Sequence, residues 1–210
     1  MIFRDRREAG ERLAQALADL TEGGAVVLAI PRGGVVVGHE VATHLGVPLD
    51  VVIPRKVGAP GNPELGLGAV APGVRVLDER LVRELGVTEE YLEREIAAQE
   101  REIARREEAY RAGRPPVRVA GRVALVVDDG VATGGTAVAA ARWARRAGAA
   151  RVVLAVPVAP RQARGMLERE ADELAVLSTP DPFFAVGQWY RDFEQVSDEE
   201  VVALLRGREP

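Results

Sequence analysis

Val123-Ala124-Leu125-Val126-Val127-Asp128-Asp129-Gly130-Val131-Ala132-Thr133-Gly134-Gly135-Thr136-Ala137 decides how this chain folds. Its first five residues are uninterruptedly apolar, as a strand buried on both faces of a parallel sheet must be. Two carboxylates, Asp128 and Asp129, follow at the carboxyl end of that strand, the edge at which open α/β sheets bind ligands. The next residues, Gly130, Val131, Ala132, Thr133, Gly134, Gly135 and Thr136, are small and run directly into a helix. Their amides, the helix N-terminus and the two threonine hydroxyls suit a phosphate. Two acids beside an anion site make sense when sugar hydroxyls lie between, because carboxylates accept hydrogen bonds from a vicinal diol. The pattern therefore asks for a phosphorylated sugar. The plainer alternative is a strand ending in an ordinary Asp-Gly turn, and nine specified positions from Asp128 to Thr136 weigh against it.

Outward from this segment, helical and strand patterns alternate, which predicts an open, mainly parallel twisted sheet with helices on both faces and a small hood or flap. Residues 8–20 read as an amphipathic helix with Leu13, Leu17 and Leu20 on one side, and Ala25–Ile30 as a buried strand. Pro31-Arg32-Gly33-Gly34 leads into a helix closed by Gly46, and Leu49–Ile53 reads as a second strand. Residues 55–67 are rich in Gly and Pro and read as a loop, with a short strand at 68–71 or 74–77. Residues 88–112 form a long charged helix with Thr88 as N-cap, ion pairs Glu90/Arg94, Glu102/Arg106 and Glu107/Arg111, and a narrow stripe of Leu92, Ile96, Ile103 and Tyr110. Such a stripe suits a flap or a dimer contact. Strands at 151–158 and 173–177 flank a helix near 161–170, and Ser197-Asp198-Glu199-Glu200 is a capping box for a last helix. One domain is expected, its core at about 8–84 and 117–180, with 88–112 and 181–210 as candidate hood segments.

Composition narrows the function. The 210 residues carry a net charge of −4, which speaks against a nucleic acid backbone as the main partner. No apolar run is long enough for a membrane helix, and the charged N-terminus lacks a secretion signal, so a cytoplasmic location is expected. The absence of cysteine removes thiolate metal sites and cysteine nucleophiles. His39 and His44 stand five apart, off the spacing of four that a helical metal pair prefers, and read as surface or packing residues. The cations are 27 arginines and a single lysine, Lys56, and the single asparagine, Asn62, lies close by. Codon bias or a thermophile's avoidance of thermolabile amides explains the background. The position of the exceptions suggests that the 55–66 segment needs a compact ammonium charge. Gly66-Leu67-Gly68-Ala69-Val70-Ala71 loosely fits a dinucleotide fingerprint, but Pro72-Gly73 stands where a helix should begin.

The segment 123–137 resembles the donor-binding signature of type I phosphoribosyltransferases, and the form Ala132-Thr133-Gly134-Gly135-Thr136 is most similar to the adenine-type enzymes. Hypoxanthine-guanine enzymes carry an Asp where this chain has Ala132, which tells against 6-oxopurine acceptors. Ile30-Pro31-Arg32-Gly33-Gly34 resembles the family's pyrophosphate loop. Ile53-Pro54-Arg55-Lys56-Val57-Gly58-Ala59-Pro60 sits where the family has its flexible catalytic loop, and Glu64 lies where adenine-type enzymes carry a catalytic acid. The resemblance spans about residues 25–180. It implies 5-phosphoribosyl-1-pyrophosphate (PRPP) as donor, a nitrogenous base as acceptor, release of pyrophosphate, and a homodimer. It also implies Mg²⁺ held mainly by donor oxygens, with Asp128 or Asp129 as the candidate protein ligand. Arg32, Arg55 and Lys56 would meet the leaving group. The aromatics Phe183, Phe184, Trp189, Tyr190 and Phe193 either roof the acceptor, with Trp189 or Tyr190 stacking on it, or close a hydrophobic cluster, which is commoner. A rival reading is a non-catalytic regulator that senses the donor or a nucleotide. Lys56 and Glu64 in one loop favour chemistry.

Overall fold

The computed structural model describes residues 1–20 and 24–207. The chain runs α1 (Arg6–Ala16), β1 (Ala25–Ala29), α2 (Gly33–Leu45), β2 (Leu49–Val51), β3 (Arg55–Ala59), β4 (Asn62–Ala71), β5 (Val74–Leu77), α3 (Glu79–Glu84), α4 (Glu89–Arg111), β6 (Val123–Val127), α5 (Gly135–Arg146), β7 (Arg151–Val158), α6 (Arg161–Glu170), β8 (Glu173–Ser178) and α7 (Asp198–Arg206). Five strands form a parallel sheet in the order β2-β1-β6-β7-β8. Alternating side chains divide between two layers. Val27, Leu125 and Val153 meet α1, α2, α4 and α7, whereas Val26, Val126 and Leu154 meet α5 and α6. This is an α/β fold with a mainly parallel sheet and helices on both faces. Among the described residues no helix is long and apolar enough to cross a membrane.

The chain order reverses between β1 and β6, which are paired in register from Ala25↔Val123 to Ala29↔Val127. The loops leaving these two strands therefore emerge side by side at the carboxyl edge, at the switch point of the sheet. Ile30 continues the pairing by donating its amide to the Val127 carbonyl at 2.8 Å.

The segment read as a loop at 55–67 is instead a β-hairpin, and both candidate short strands exist. The strands β3, β4 and β5 form a second, antiparallel sheet. The Gly and Pro residues that suggested a loop make the Pro60-Gly61 turn and the register shifts around Gly58. One face of this sheet places Val57, Leu67 and Val70 against α4, and the other places Ala69 and Ala71 against Ala139 of α5. The rejected dinucleotide fingerprint is simply the second half of β4.

The first helix starts at Arg6 rather than residue 8, because the Asp5 carboxylate caps it through the Glu8 amide at 2.8 Å, and it ends in a separate 3-10 turn at Ala18–Leu20. Thr88 caps α4 and Ser197 caps α7 through their side-chain oxygens. Of the three ion pairs expected on α4, Glu102/Arg106 and Glu107/Arg111 form, at 2.6 and 3.3 Å. Arg94 instead lies over the Tyr91 ring, 5.6 Å from its centre. The stripe is consumed within the chain, with Ile96, Ile103 and Tyr110 buried beneath the hairpin and α7, so these residues are not a free dimer surface.

Asp50 of β2 is a charged side chain only 5% exposed. It accepts hydrogen bonds from Arg111 Nε at 3.2 Å and the Val117 amide at 2.9 Å, which ties the end of α4 and the following segment to the edge of the sheet. Removing one member of a buried ion pair leaves the other uncompensated. Asp50→Ala should therefore lower unfolding free energy by about 3 kcal/mol, read as a reduced urea midpoint with an unchanged m-value.

Candidate active site at the carboxyl edge of the sheet

Two loops build the site. The first runs from Pro31 to Gly34, with a cis Pro31–Arg32 peptide, and opens α2. A Cβ placed on Gly34 would stand 2.9 Å from Asp128 Cα, and one on Gly33 would collide with Asp129 Oδ2. The first loop thus lies directly against the two acids, at a separation that only glycine permits. The second loop runs from Asp128 to Gly134. Its middle is pinned by the Val131 amide donating to the Val158 carbonyl at 2.9 Å. Gly134 ends it at φ 90°, a left-handed backbone that favours glycine, with Met166 Cε packed against its Cα side. No side chain caps α5 at this end. Among the described residues the amides of Ala132, Thr133, Gly134, Gly135 and Thr136 donate to no other protein group. Thr133 is exposed and Thr136 half-buried. This row of free donors at a helix N-terminus is an anion cradle.

Asp128 Oδ1 accepts the Asp129 amide at 2.8 Å. Burial pushes the Asp128 carboxyl well above the ordinary aspartate value, and the Asp129 charge adds to the rise. Burial raises Asp129 as well, against the opposing pull of Arg6. Arg6 Nε donates to Asp129 Oδ2 at 2.8 Å, with both side chains largely buried. Sequence reasoning missed this residue. Its contact spans 123 positions and nothing local separates it from Arg4 or Arg7.

The C-terminal segment closes over the same acids. Tyr190 is buried against Phe3 and Val158, and its hydroxyl donates to the Asp129 carbonyl. Trp189 stacks on Phe183 with ring centres 6.3 Å apart. Both aromatics that sequence had offered for stacking on an acceptor are thus engaged in a cluster of the chain's own, whereas Phe184 is 78% exposed.

The cations expected around a leaving group are distributed differently. Lys56 stands opposite Ala69 in the hairpin, and partners across an antiparallel pair share a face. Ala69 Cβ lies 3.9 Å from a Cβ placed on Gly135, so this face covers the start of α5. Lys56 Nζ donates to the Glu64 carbonyl and lies 3.8 Å from its carboxylate, which is itself almost fully exposed. Arg55 points the other way and donates to Gln99 Oε1 of α4 at 2.9 Å. Burial lowers its pKa, and nearby Arg106 lowers it further. Arg32 is 3.6 Å from Asp198 of α7, which also accepts the Tyr110 hydroxyl at 2.7 Å. Burial and that hydrogen bond push the Tyr110 phenol up to about 12. The structure therefore brings Gly33, Gly34, Asp128 and Asp129 into contact, sets Lys56 on the hairpin face that meets α5, and leaves Arg32 and Arg55 paired with neighbouring helices.

Comparison with known proteins gives the family of the chain. The profile of the phosphoribosyl transferase domain matches residues 5–188. Two Mycobacterium tuberculosis proteins, from strains CDC 1551 and H37Rv, are 49% identical over 205 residues, and their names give phosphoribosyl transferase as a provisional assignment. The match covers 97% of this chain and 46% of theirs, so the chain spans about half the length of the curated relatives it matches. A solved structure from Thermus thermophilus, TT1426, is 51% identical with a TM-score of 0.83 and 98% coverage of both chains. Adenine phosphoribosyltransferase from Rhodothermus marinus is 22% identical with a TM-score of 0.47, over 83% of this chain and 78% of that one. With its two glycine-tight loops, its acid pair at the switch point and a family profile covering most of its length, this chain belongs to the type I phosphoribosyltransferase family.

Proposed function

We propose that this chain transfers the 5-phosphoribosyl group of PRPP to a nitrogenous base and releases pyrophosphate. The observation that carries the reading is the contact of Gly33-Gly34 with Asp129 and Asp128 beside a row of unengaged amides. A donor with a phosphate at one end, hydroxyls in the middle and a pyrophosphate at the other matches those three surfaces in order. The 5′-phosphate sits on the amides of 132–136, with Thr133 and Thr136 adding hydroxyl donors. The ribose hydroxyls donate to Asp128 and Asp129, and the pyrophosphate lies along Gly33-Gly34 beside Arg32.

The described residues contain no cluster of three or more acidic, His or Cys ligands able to hold a metal unaided. A pair of carboxylates completed by donor oxygens and water fits Mg²⁺, a hard cation that keeps several waters. Bound there, the ion would offset charge on the pyrophosphate and on the acid pair. Asp128 or Asp129 would contact it.

Departure of pyrophosphate leaves positive charge on the anomeric carbon and negative charge on the leaving group. The acid pair stabilises the first. Lys56, turned to the α5 side of the hairpin, serves the second once it leaves the Glu64 carbonyl, and Arg32 does so once it leaves Asp198. Closing the hairpin tip over the donor would exclude water, which otherwise competes with the base. Glu64, on that tip, would then approach the acceptor.

Calorimetry with PRPP and Mg²⁺ should show binding, and a panel of nucleobases should reveal one whose addition releases pyrophosphate. Binding with no release for any base, together with salt-sensitive nucleic acid affinity, would instead favour the sensing role. Lys56→Ala should retain donor affinity and reduce kcat by about 10²- to 10³-fold, the usual cost of a lost transition-state charge contact; unchanged turnover removes Lys56 from the mechanism. Gly34→Ala should weaken donor binding about tenfold to a hundredfold, because its methyl meets Asp128 and overpacking of this kind costs about 1–3 kcal/mol. Parent-like affinity in that variant would show that the two loops can separate without loss.

A further inference from the structure

We propose that Arg6 is the positioning residue of the acid pair, a third component of the donor site supplied by the first helix and locked by the C-terminal segment. This rests on the phosphoribosyl reading of the site and extends it to the first helix and to the C-terminal segment around Phe193 and Glu194.

The four N-terminal arginines behave differently. Arg4 pairs with Asp5, Arg7 with Glu40 and Arg12 with Glu8, all partly exposed contacts on the surface of the helical layer. Arg6 alone turns inward, with 11% of its side chain exposed. Its planar guanidinium makes three directed contacts. Nε donates to Asp129 Oδ2 at 2.8 Å, Nη1 donates to the Glu194 carbonyl at 2.8 Å, and the group lies 3.8 Å from the centre of the Phe193 ring. A fork that binds two acceptors at fixed angles while stacking on a ring is a role lysine cannot fill. The Glu194 end is itself held, because residues 3–4 pair with 189–192 through Phe3 to Trp189, Arg191 to Phe3 and Asp192 to Arg4.

The consequence lies at the carboxylates. Asp128 gives Oδ1 to the Asp129 amide, and Asp129 gives Oδ2 to Arg6. Each acid is thereby fixed through one named oxygen at the point where the two loops meet. Gly33 seals the arrangement, since a Cβ there would collide with Asp129 Oδ2 and stand 2.8 Å from Arg6 Nε. The guanidinium is thus wedged where the pyrophosphate loop meets the acid pair. Without it, Asp129 Oδ2 would lose its charged donor, and the carboxylate would be held less firmly toward the ribose. Groups that orient a binding carboxylate from behind in this way typically change affinity by about 10- to 100-fold when removed.

Arg6→Ala and Arg6→Lys test this. With the parent protein, calorimetry should detect PRPP in the presence of Mg²⁺. Arg6→Ala should melt cooperatively, bind PRPP about 10- to 100-fold more weakly, and recover part of that loss when guanidinium ion is added at sub-denaturing concentration. A merely structural role would not give such recovery. If Arg6→Ala fails to melt cooperatively, Arg6→Lys decides, since it retains the charge but cannot reach Asp129 and Glu194 together; its donor affinity should fall severalfold. Parent-like affinity in a folded variant, or a loss that guanidinium does not restore, overturns the role of Arg6 alone. No affinity in the parent overturns the donor reading together with it.

Discussion

The site depends on one steric constraint, the approach of two loops so close that the first must be glycine where it meets the acids of the second. Strands β1 and β6 are neighbours with no offset, so the residues that leave them collide unless one partner gives up its side chain. Gly33 and Gly34 do so, which lets Asp129 and Asp128 lie against a backbone rather than against other side chains. The gain is geometric. Anion donors, carboxylates and a second row of amides are brought within the length of one small phosphorylated sugar, all on segments anchored at both ends by sheet or helix. Such anchoring is what allows a site to hold its geometry without a ligand.

Closeness has an electrostatic cost. Two like charges about 4 Å apart repel by about 4 kcal/mol at the effective dielectric of a protein site, and burial adds to it. Burial raises both carboxyls, and at Asp128 the neighbouring Asp129 charge adds to the rise. Arg6 returns an attraction of similar size at Asp129, and the Asp129 amide contributes a charge-assisted hydrogen bond at Asp128. What remains is a pair that gains from any further cation or hydroxyl brought to it. The anion cradle next to it has the opposite need. The proposed donor, which carries phosphates and hydroxyls in one molecule, would meet both needs at once.

How much of this was legible follows from how local each feature is. The strand, the acid pair and the small-residue loop occupy consecutive positions, and their periodicity and composition state the geometry directly. The caps at Thr88 and Ser197 were readable for the same reason. The hairpin was not, because Gly and Pro between residues 55 and 67 signal a turn without saying whether the flanks pair, and pairing was decided by burial between α4 and α5. Arg6 was hidden more deeply. Among 27 arginines, charge type carries no information, and its contacts with Asp129 and Glu194 arise only once the first helix and the C-terminal segment have folded onto the sheet. The aromatic cluster at 183–193 was visible as an anomaly, but only the fold reveals that Tyr190 faces Asp129 from within the core.

The hairpin's alternation then restricts how the leaving-group cations can act. Arg55 and Lys56 are consecutive in one strand, so they project to opposite faces and cannot converge on one pyrophosphate while β3 stays paired. Val57 and Val70 are buried under α4, and the Tyr91 hydroxyl donates to the Gly58 carbonyl at 3.0 Å, which fixes the base of the hairpin. The turn and the stretch around Glu64 and Leu65 are the exposed part. The tip is therefore the least anchored part of the hairpin, and Lys56 reaches along it to the Glu64 carbonyl. Arg55, bonded to Gln99, ties β3 to α4, whereas Lys56 is held by its own hairpin. A lone lysine in a chain otherwise furnished with arginine fits that division of labour, since a compact ammonium on a flexible stem can change partners without the planar alignment a guanidinium requires.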